Sequence, residues 1–393
     1  MSDERGQTGF WSWLRGNRSG AIGLAVLAGL LLACLGSLPY TLGKDASGEP
    51  RYNAGDLAWA RVGPWWTGGA GAARSEARTG GTPVPPAAGE AAARPWFWLG
   101  SDTLGRSELI RCLAGGGVSL VVGLAAAGIS VLIGTVYGAV SGFAGGRVDG
   151  VMMRVVDVLY GLPYILLVVL LAVATDAVVS EMVSRSRARA EWVTREAMVE
   201  VGSPGHVATR DEAKRAVARD AVLRGKLEEA ALVALPPRQI SGTTRSVIDL
   251  GTLLVAIAGV SWLTMARVIR GQVLALKNRE FVLAARAIGL SPWRVLVRHI
   301  APNLWGTVLV YGALTVPQAM LQEAFLSFLG IGVKPPMPSW GSLAAAGLQE
   351  INPVDSSWWL IVFPCVLLAV TLLALNFVGE GLRRSLDPKG RAR

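Results

Sequence analysis

Residues 280–303 read EFVLAARAIGLSPWRVLVRHIAPN and lie between two strongly apolar runs. The segment predicts two short helices. Residues 278–288 are mostly good helix formers, and Phe281, Ala284, Ala285 and Ile288 recur at i, i+3, i+4 and i+7, which places them on one face. Gly289 suits the left-handed residue that closes such a helix. Ser291 is then the N-cap of the next helix, with Pro292 in the first turn, where its missing N–H is harmless. That second helix is expected to stop near Ala301, because Pro302 discourages continuation. A helix–Gly–helix unit with a small apolar face and a basic flank fits two tasks. It can dock against another protein, or it can lie on anionic lipid, where each basic residue contributes about 1 kcal/mol.

The surroundings narrow the setting. Of 393 residues, 52% are hydrophobic and only 17% are charged, against about 25% charged in a soluble domain. Six stretches are long enough to cross a hydrocarbon core, which takes roughly 20 helical residues. They are 21–42, 118–141, 155–175, 247–266, 305–326 and 358–377. The fold class expected is an all-α membrane protein with six transmembrane helices. The apolar core of the first run, 21–38, exceeds the roughly 7–15 residues of a signal-peptide core, so it is read as a retained span. Gly123, Gly128, Gly134 and Gly138 suit close helix approach, since lipid supplies no hydrophobic drive for helices to associate.

Lysine and arginine in short loops set the orientation. Arg15 and Arg18 precede span one, Arg147 and Arg154 flank the loop between spans two and three, and Arg383, Arg384, Lys389, Arg391 and Arg393 follow span six. Arg267, Arg270, Lys277, Arg279, Arg286, Arg294 and Arg298 fall between spans four and five. Six spans put all four regions on one side, read as the cytoplasm, together with the termini 1–20 and 381–393. The outer side receives a loop 43–117, an insertion 176–245 and the segment 330–357. The first loop contains the low-complexity run TGGAGAARSEARTGGTPVPPAAGEAAA and ends in Trp96, Phe97 and Trp98, which suit a membrane interface. In the insertion, Thr209 and Glu212 form a capping box opening a helix of about 25 residues that ends near Pro236 and Pro237. The third contains KPPMPSW, whose prolines forbid a continuous helix. Spans two and three thus occupy 118–175, and spans four to six occupy 246–380.

Several function classes drop out. The net charge of +10 reports cytoplasmic loops rather than nucleic acid, since no nucleic-acid-binding motif accompanies it. Cys34, Cys112 and Cys365 form neither a disulfide framework nor a zinc site, and His206 and His299 are too far apart in sequence to make a metal site alone. No catalytic or metal site is expected. No G-x-x-x-x-G-K-[ST] occurs: Gly43-Lys44 is followed by Asp45, and Gly225-Lys226 by Leu227. GSDTLGR at 100–106 reads as an outer-face turn in which Asp102 and Arg106 pair.

The stretch AARAIGLSPWRVLVRHIAPN at 284–303 resembles the cytoplasmic EAA loop of permease subunits of ATP-binding cassette importers, with the dipeptide, oligopeptide and nickel group and its C-type permease nearest. LGSDTLGRSELIRCLAGGGVSLVVGL at 99–124, GFAGGRVDGVMMRVVDVLYGLP at 142–163, EAFLSFLGIGVKPPMPSWG at 323–341 and GEGLRRSLDPK at 379–389 are similar to the family's other motifs, in family order. The resemblance implies a type I importer permease fold, in the bacterial inner membrane, with an added insertion between spans three and four. It implies a non-catalytic subunit that pairs with a second, related permease to form the pore. Two cytoplasmic ATPase subunits, carrying the ATP and magnesium, would dock on the EAA loops, and an extracytoplasmic binding protein would deliver a short peptide, nickel or another small solute. This chain would bind no cofactor of its own.

On that basis the coupling residues are Glu280, Phe281, Ala284, Ala285, Ile288, Gly289, Trp293 and His299. The family loop begins Glu-Ala-Ala, whereas here the triplet is Leu283, Ala284, Ala285. Glu280, one turn earlier on nearly the same face, either supplies the missing carboxylate or is a solvated helix charge. His299 either meets the ATPase or is an ordinary surface residue. Gln318, Gln322 and Glu323 in span five either line the pore or hydrogen-bond between helices. Asp157 and Asp249, near membrane edges, are read as capping or pairing groups, and Asn376 and Glu380 as a structural i, i+4 pair. Two other classes compete. An ion-coupled secondary transporter would place charges deep in the spans and an inverted pair of broken helices, which are not apparent. A membrane-anchored scaffold or sensor would act through the insertion.

Overall fold

In the computed structural model the described residues are 18–45, 48–67, 97–202, 208–236, 242–351 and 357–386. Among them, regular structure is helical, with only isolated β-bridges. The helices are α1 (Arg18–Gly36), α2 (Glu108–Ala144), α3 (Gly146–Tyr160), α4 (Tyr164–Ser184), α5 (Ser186–Val201), α6 (Arg210–Arg219), α7 (Ala221–Ala234), α8 (Gly242–Leu276), α9 (Glu280–Ala287), α10 (Pro292–Val295), α11 (Ala301–Phe328), α12 (Trp340–Gln349) and α13 (Trp359–Leu386). Six of them are long and apolar enough to span a membrane, at Arg18–Thr41, Glu108–Ala144, Ile165–Met182, Val247–Leu276, Pro292–Phe328 and Trp359–Ser385. The low-complexity run from 68, Trp96, Pro237 and the terminal segments 1–17 and 387–393 lie outside the described residues.

The third span departs from expectation. The run 155–175 is not one helix: α3 closes at Tyr160, and the chain turns through Gly161, Leu162 and Pro163 before α4 begins. Pro163 has no N–H to give an uninterrupted helix. Residues 155–160 therefore finish an amphipathic helix, and the span moves to Ile165–Met182. The other five spans overlap the expected runs, with α2, α8, α11 and α13 extending past them at one or both ends.

Small residues let the spans meet, as the sequence implies for three of the four glycines. A Cβ on Gly134 or Gly138 would collide with the α8 backbone at Trp262 and Ala266, and one on Gly123 would collide with Met320 of α11. Gly128 faces open space and plays no such part. Van der Waals contact of this kind carries helix association where lipid is as apolar as leucine.

The outer segment 330–357 forms its own short helix. Ser339 accepts from the Ser342 N–H at 3.2 Å and donates its own N–H to the Ser342 hydroxyl at 2.9 Å, a capping box that starts α12. Trp340 follows, fully buried among Cys34, Leu120, Met320 and Leu375. Its indole N–H donates to the Cys112 carbonyl at 3.0 Å, which satisfies the one polar atom it buries. The GSDTLGR turn carries the expected ion pair, Arg106 to Asp102 at 2.7 Å, and Arg111 adds a second at 2.5 Å. Arg61 of the preceding loop pairs with Glu350 just beyond α12 at 2.7 Å.

Residues 173–252 form a separate compact unit. In it α5, α6 and α7 pack round Ala197, Ala213 and Leu227, supported by Val193, Met198, Val217 and Leu223. The Thr209–Glu212 capping box is present, but the helix it opens is not about 25 residues long. Asp220 breaks it and caps α7, its carboxylate accepting from the N–H groups of Val222 at 2.9 Å and Leu223 at 3.1 Å.

Candidate functional site

The segment 280–303 is built largely as its residues predict. Arg279 holds the N-cap position of α9, with Glu280 in the first turn. At the other end Gly289 adopts φ +84°, the Gly289 N–H donates to the Arg286 carbonyl at 3.0 Å, and the Leu290 N–H donates to the Ala285 carbonyl at 3.2 Å. That pair of bonds is a Schellman closure, which needs a left-handed residue between the helices. Ser291 takes the N-cap position before Pro292, but its hydroxyl makes no capping bond.

Pro302 does not end the second helix. α10 passes through a π-turn at Leu296–Ile300 into α11, the Ala301 N–H donating to the Leu296 carbonyl five residues back. The widened turn gives the proline ring room that an α-turn denies it. The second helix of the segment and span five are therefore one continuous helix, Pro292–Phe328.

The apolar residues divide between two sides. Val282, Ala285, Val295, Leu296 and Ile300 pack inward on Met265, Ile269 and Val273 of α8. Ile288 is 78% exposed and Trp293 70%. Phe281, Leu283, Ala284 and Val297 are exposed as well. Of the expected stripe only Ala285 faces the core, because the hairpin is anchored through Val282 instead. Glu280 is exposed and makes no ion pair among the described residues, and Leu283, in the place of the family's glutamate, is exposed too. His299 is half-buried.

Beside the hairpin lies a polar clasp that sequence reading missed. Arg270 on α8 grips Asp149 on α3 through Nε–Oδ1 at 2.5 Å and Nη2–Oδ2 at 2.6 Å, and the Ser141 hydroxyl donates to Oδ1 at 2.5 Å. Lys277 donates to the Gly142 carbonyl at 3.2 Å. Hydrogen bonds from the Arg270 guanidinium pull the Asp149 carboxyl down to about 2 against the opposing effect of burial. An acid between two apolar runs and an arginine 121 positions away give no sequence signal of pairing.

A cavity of about 680 Å³ opens between the end of α3, the start of α4, and α8 and α11. Its polar lining is uncharged: Tyr160, Ser261, Thr264, Gln318 and Gln322, with Leu321 and Phe325 among the apolar walls. The Ser261 hydroxyl donates to Gln322 Oε1 at 3.2 Å. Glu323 does not share this lining. It is fully buried, its Oε1 accepting from the Ser327 hydroxyl at 2.8 Å. Five residues beyond Gln318, a helix has turned about 140°, so the three cannot face one way.

At the cavity edge Arg267 pairs with Asp157 at 2.8 Å and stacks on the Tyr160 ring, 3.9 Å from its centroid. Glu380 pairs with Arg384 at 3.1 Å rather than with Asn376. Asp249 is half-buried in the separate unit. Among the described residues no group of three or more His, Cys, Asp or Glu side chains is placed to hold a metal ion.

Residues 134–392 match the family of binding-protein-dependent transport system inner membrane components. The chain is 36% identical over 294 residues to the dipeptide transport system permease protein DppC of Bacillus subtilis, covering 75% of this chain and 69% of that one. It is 35% identical to the oligopeptide transport system permease protein OppC of the same organism, with 75% and 72% covered. Against OppC of Escherichia coli the identity is 36%, with 75% and 73% covered.

Proposed function

The chain belongs to the binding-protein-dependent transport system inner membrane components, and from that premise we propose that it forms half of a translocation pore for short peptides. It is a permease subunit of an ATP-binding cassette importer and is not itself an enzyme. A second, related permease completes the pore. Two cytoplasmic ATPase subunits, which bind the ATP and magnesium, sit on the hairpin α9–α10, and an extracytoplasmic binding protein supplies the cargo. Both termini face the cytoplasm of a bacterial inner membrane, the side on which the short-loop arginines cluster.

The observation that carries the reading is the unbroken helix Pro292–Phe328. Trp293 near its start is exposed for docking, and Gln318 and Gln322 near its end line the cavity. The 25 positions from Trp293 to Gln318 cover roughly 37 Å at 1.5 Å per residue. Force applied to the hairpin is therefore transmitted along one rod to the cavity wall, with Val282, Val295 and Ile300 tying the same hairpin to α8. ATP-driven closure of the ATPases would move α11 against α3 and α8 and switch the cavity between its two accessible sides. Neutral Gln318, Gln322, Ser261 and Thr264 suit a path for peptide amides, offering hydrogen bonds without a fixed charge that would trap one cargo.

Co-purification tests the reading. A tagged chain should bring down a second permease and ATPases carrying the G-x-x-x-x-G-K-[ST] motif, and liposomes holding that complex with its binding protein should accumulate peptide only with ATP. A chain that isolates alone and transports on an ion gradient would establish the secondary-carrier alternative instead.

A further inference from the structure

The separate unit 173–252 contains a cleft for which the transport reading has no use. It is about 590 Å³, within the usual span of small-ligand sites, and lies among α5, α6 and α7. Val193, Val217 and Leu232 supply apolar wall. Four charged side chains also line it: Arg189, Lys214, Arg224 and Glu228. Arg224 and Glu228 lie one turn apart on α7, 4.0 Å from each other, and largely cancel. Arg189 and Lys214 are left uncompensated.

Arg189 is the informative residue. Its Nε donates to the Leu235 carbonyl at 2.9 Å, which fixes the guanidinium against the end of α7. Its Nη2 is buried with no hydrogen-bond partner among the described residues. Buried donors of a charged group are almost always satisfied, so this orphan is a donor that the three helices themselves leave unmet. A role in tying α5 to α7 uses only Nε and accounts for neither Nη2 nor Lys214, which forms no ion pair among the described residues. Two cations exclude a metal ion and select an oxyanion, and the guanidinium fork matches the two oxygens of a carboxylate or phosphate.

We propose that this cleft binds a small amphiphile with a carboxylate or phosphate head, Arg189 and Lys214 holding the head while Val193, Val217 and Leu232 take its apolar body. The head can come from a soluble ligand or from an anionic lipid. The site stands independently of the peptide-import reading.

The test uses the full chain in phosphatidylcholine nanodiscs, titrated with hexyl phosphate, hexanoate and hexanol. Binding is read by calorimetry and located by hydrogen exchange in α5–α7. At least one anion should bind saturably and protect α5–α7, with hexanol weaker by about tenfold. Arg189→Gln and Lys214→Gln should each weaken the anion by a similar factor. Lys214 is exposed, so its variant keeps the test decisive should Arg189→Gln disturb the bundle. In nanodiscs containing phosphatidylglycerol, loss of the added anion's binding identifies a lipid head, and unchanged binding identifies a soluble ligand. Equal binding of hexanol and the anions, or anion affinity unaffected by Lys214→Gln and by a folded Arg189→Gln, would overturn the proposal.

Discussion

Asp149 and Arg270 meet in a two-pronged ion pair, at 2.5 and 2.6 Å, that joins the amphipathic helix α3 to the end of α8 on which the hairpin α9–α10 is packed. The Ser141 hydroxyl of α2 completes the clasp, so three helices converge on one carboxylate.

Asp149→Ala leaves the Arg270 guanidinium without its acceptor. Breaking a fully buried pair typically costs about 3–5 kcal/mol. Arg270 is 34% exposed, so water recovers part of this, and a loss of about 2 kcal/mol is expected. Thermal unfolding of the purified chain measures it, with Arg270→Ala expected to fall by a similar amount. An unchanged midpoint for both would show that the clasp contributes nothing.

The same clasp gives a pH dependence. The Asp149 carboxyl is depressed to about 2 from an ordinary 3.8, so the folded protein binds the proton less readily than the unfolded chain. Its stabilisation is therefore present above an ordinary carboxylate pKa and is lost as pH falls from about 4 through about 2. The difference in unfolding midpoint between the native chain and Asp149→Asn should narrow over that interval. A difference that stays constant down to pH 2 would assign the effect elsewhere.

The two sides of the hairpin should respond differently to truncation. Trp293→Ala removes an exposed ring and should leave stability within about 0.5 kcal/mol. On the proposed docking of ATPases to this face, the loss of an exposed aromatic should weaken their association by about 2 kcal/mol, roughly thirtyfold. Val282→Ala opens a cavity in the core and should cost about 1–2 kcal/mol of stability. Pull-down of the ATPases alongside thermal unfolding separates the two; equal effects on both readouts would merge the faces.

Glu280 stands one turn before exposed Leu283. If it provides the carboxylate that the family places at the later position, Glu280→Ala lowers substrate-stimulated ATPase activity, and adding Leu283→Glu restores it. Stimulation and uptake untouched by Glu280→Ala in the reconstituted complex would leave Glu280 a solvated charge.

Gln318 is exposed on the cavity side of α11. Gln318→Trp partly fills the 680 Å³ space and should reduce peptide uptake about tenfold with little change in stability. Normal uptake by this variant would place the path elsewhere.

Much of this architecture is written locally. A hydrocarbon core demands long apolar helices with internally satisfied backbones, so the spans can be read from composition alone. The hairpin break at Gly289 is equally local, since φ +84° is costly for a side chain and free for glycine. The Thr209–Glu212 box is a three-residue relationship and appears as expected. The misplaced third span has a local cause too: apolar residues continue on both sides of Gly161–Pro163, and hydropathy does not register a turn inside such a run.

What remained hidden depends on partners distant in the chain. Pro302 passes through a helix because a π-turn behind it makes room, a choice set by the packing of Ile300 and Leu304 on α8. Helix phase separates Glu323 from Gln318, but that its side is the buried one depends on the packing of α11 against α2 and α12. The sequence by itself determined six spans, a helix–Gly–helix joint and the family. Only the tertiary structure decided which side of that joint is exposed, which polar residues reach the cavity, and that Asp149 belongs to Arg270. Periodicity assigns a residue to a face, but burial of that face depends on helices brought together from elsewhere in the chain.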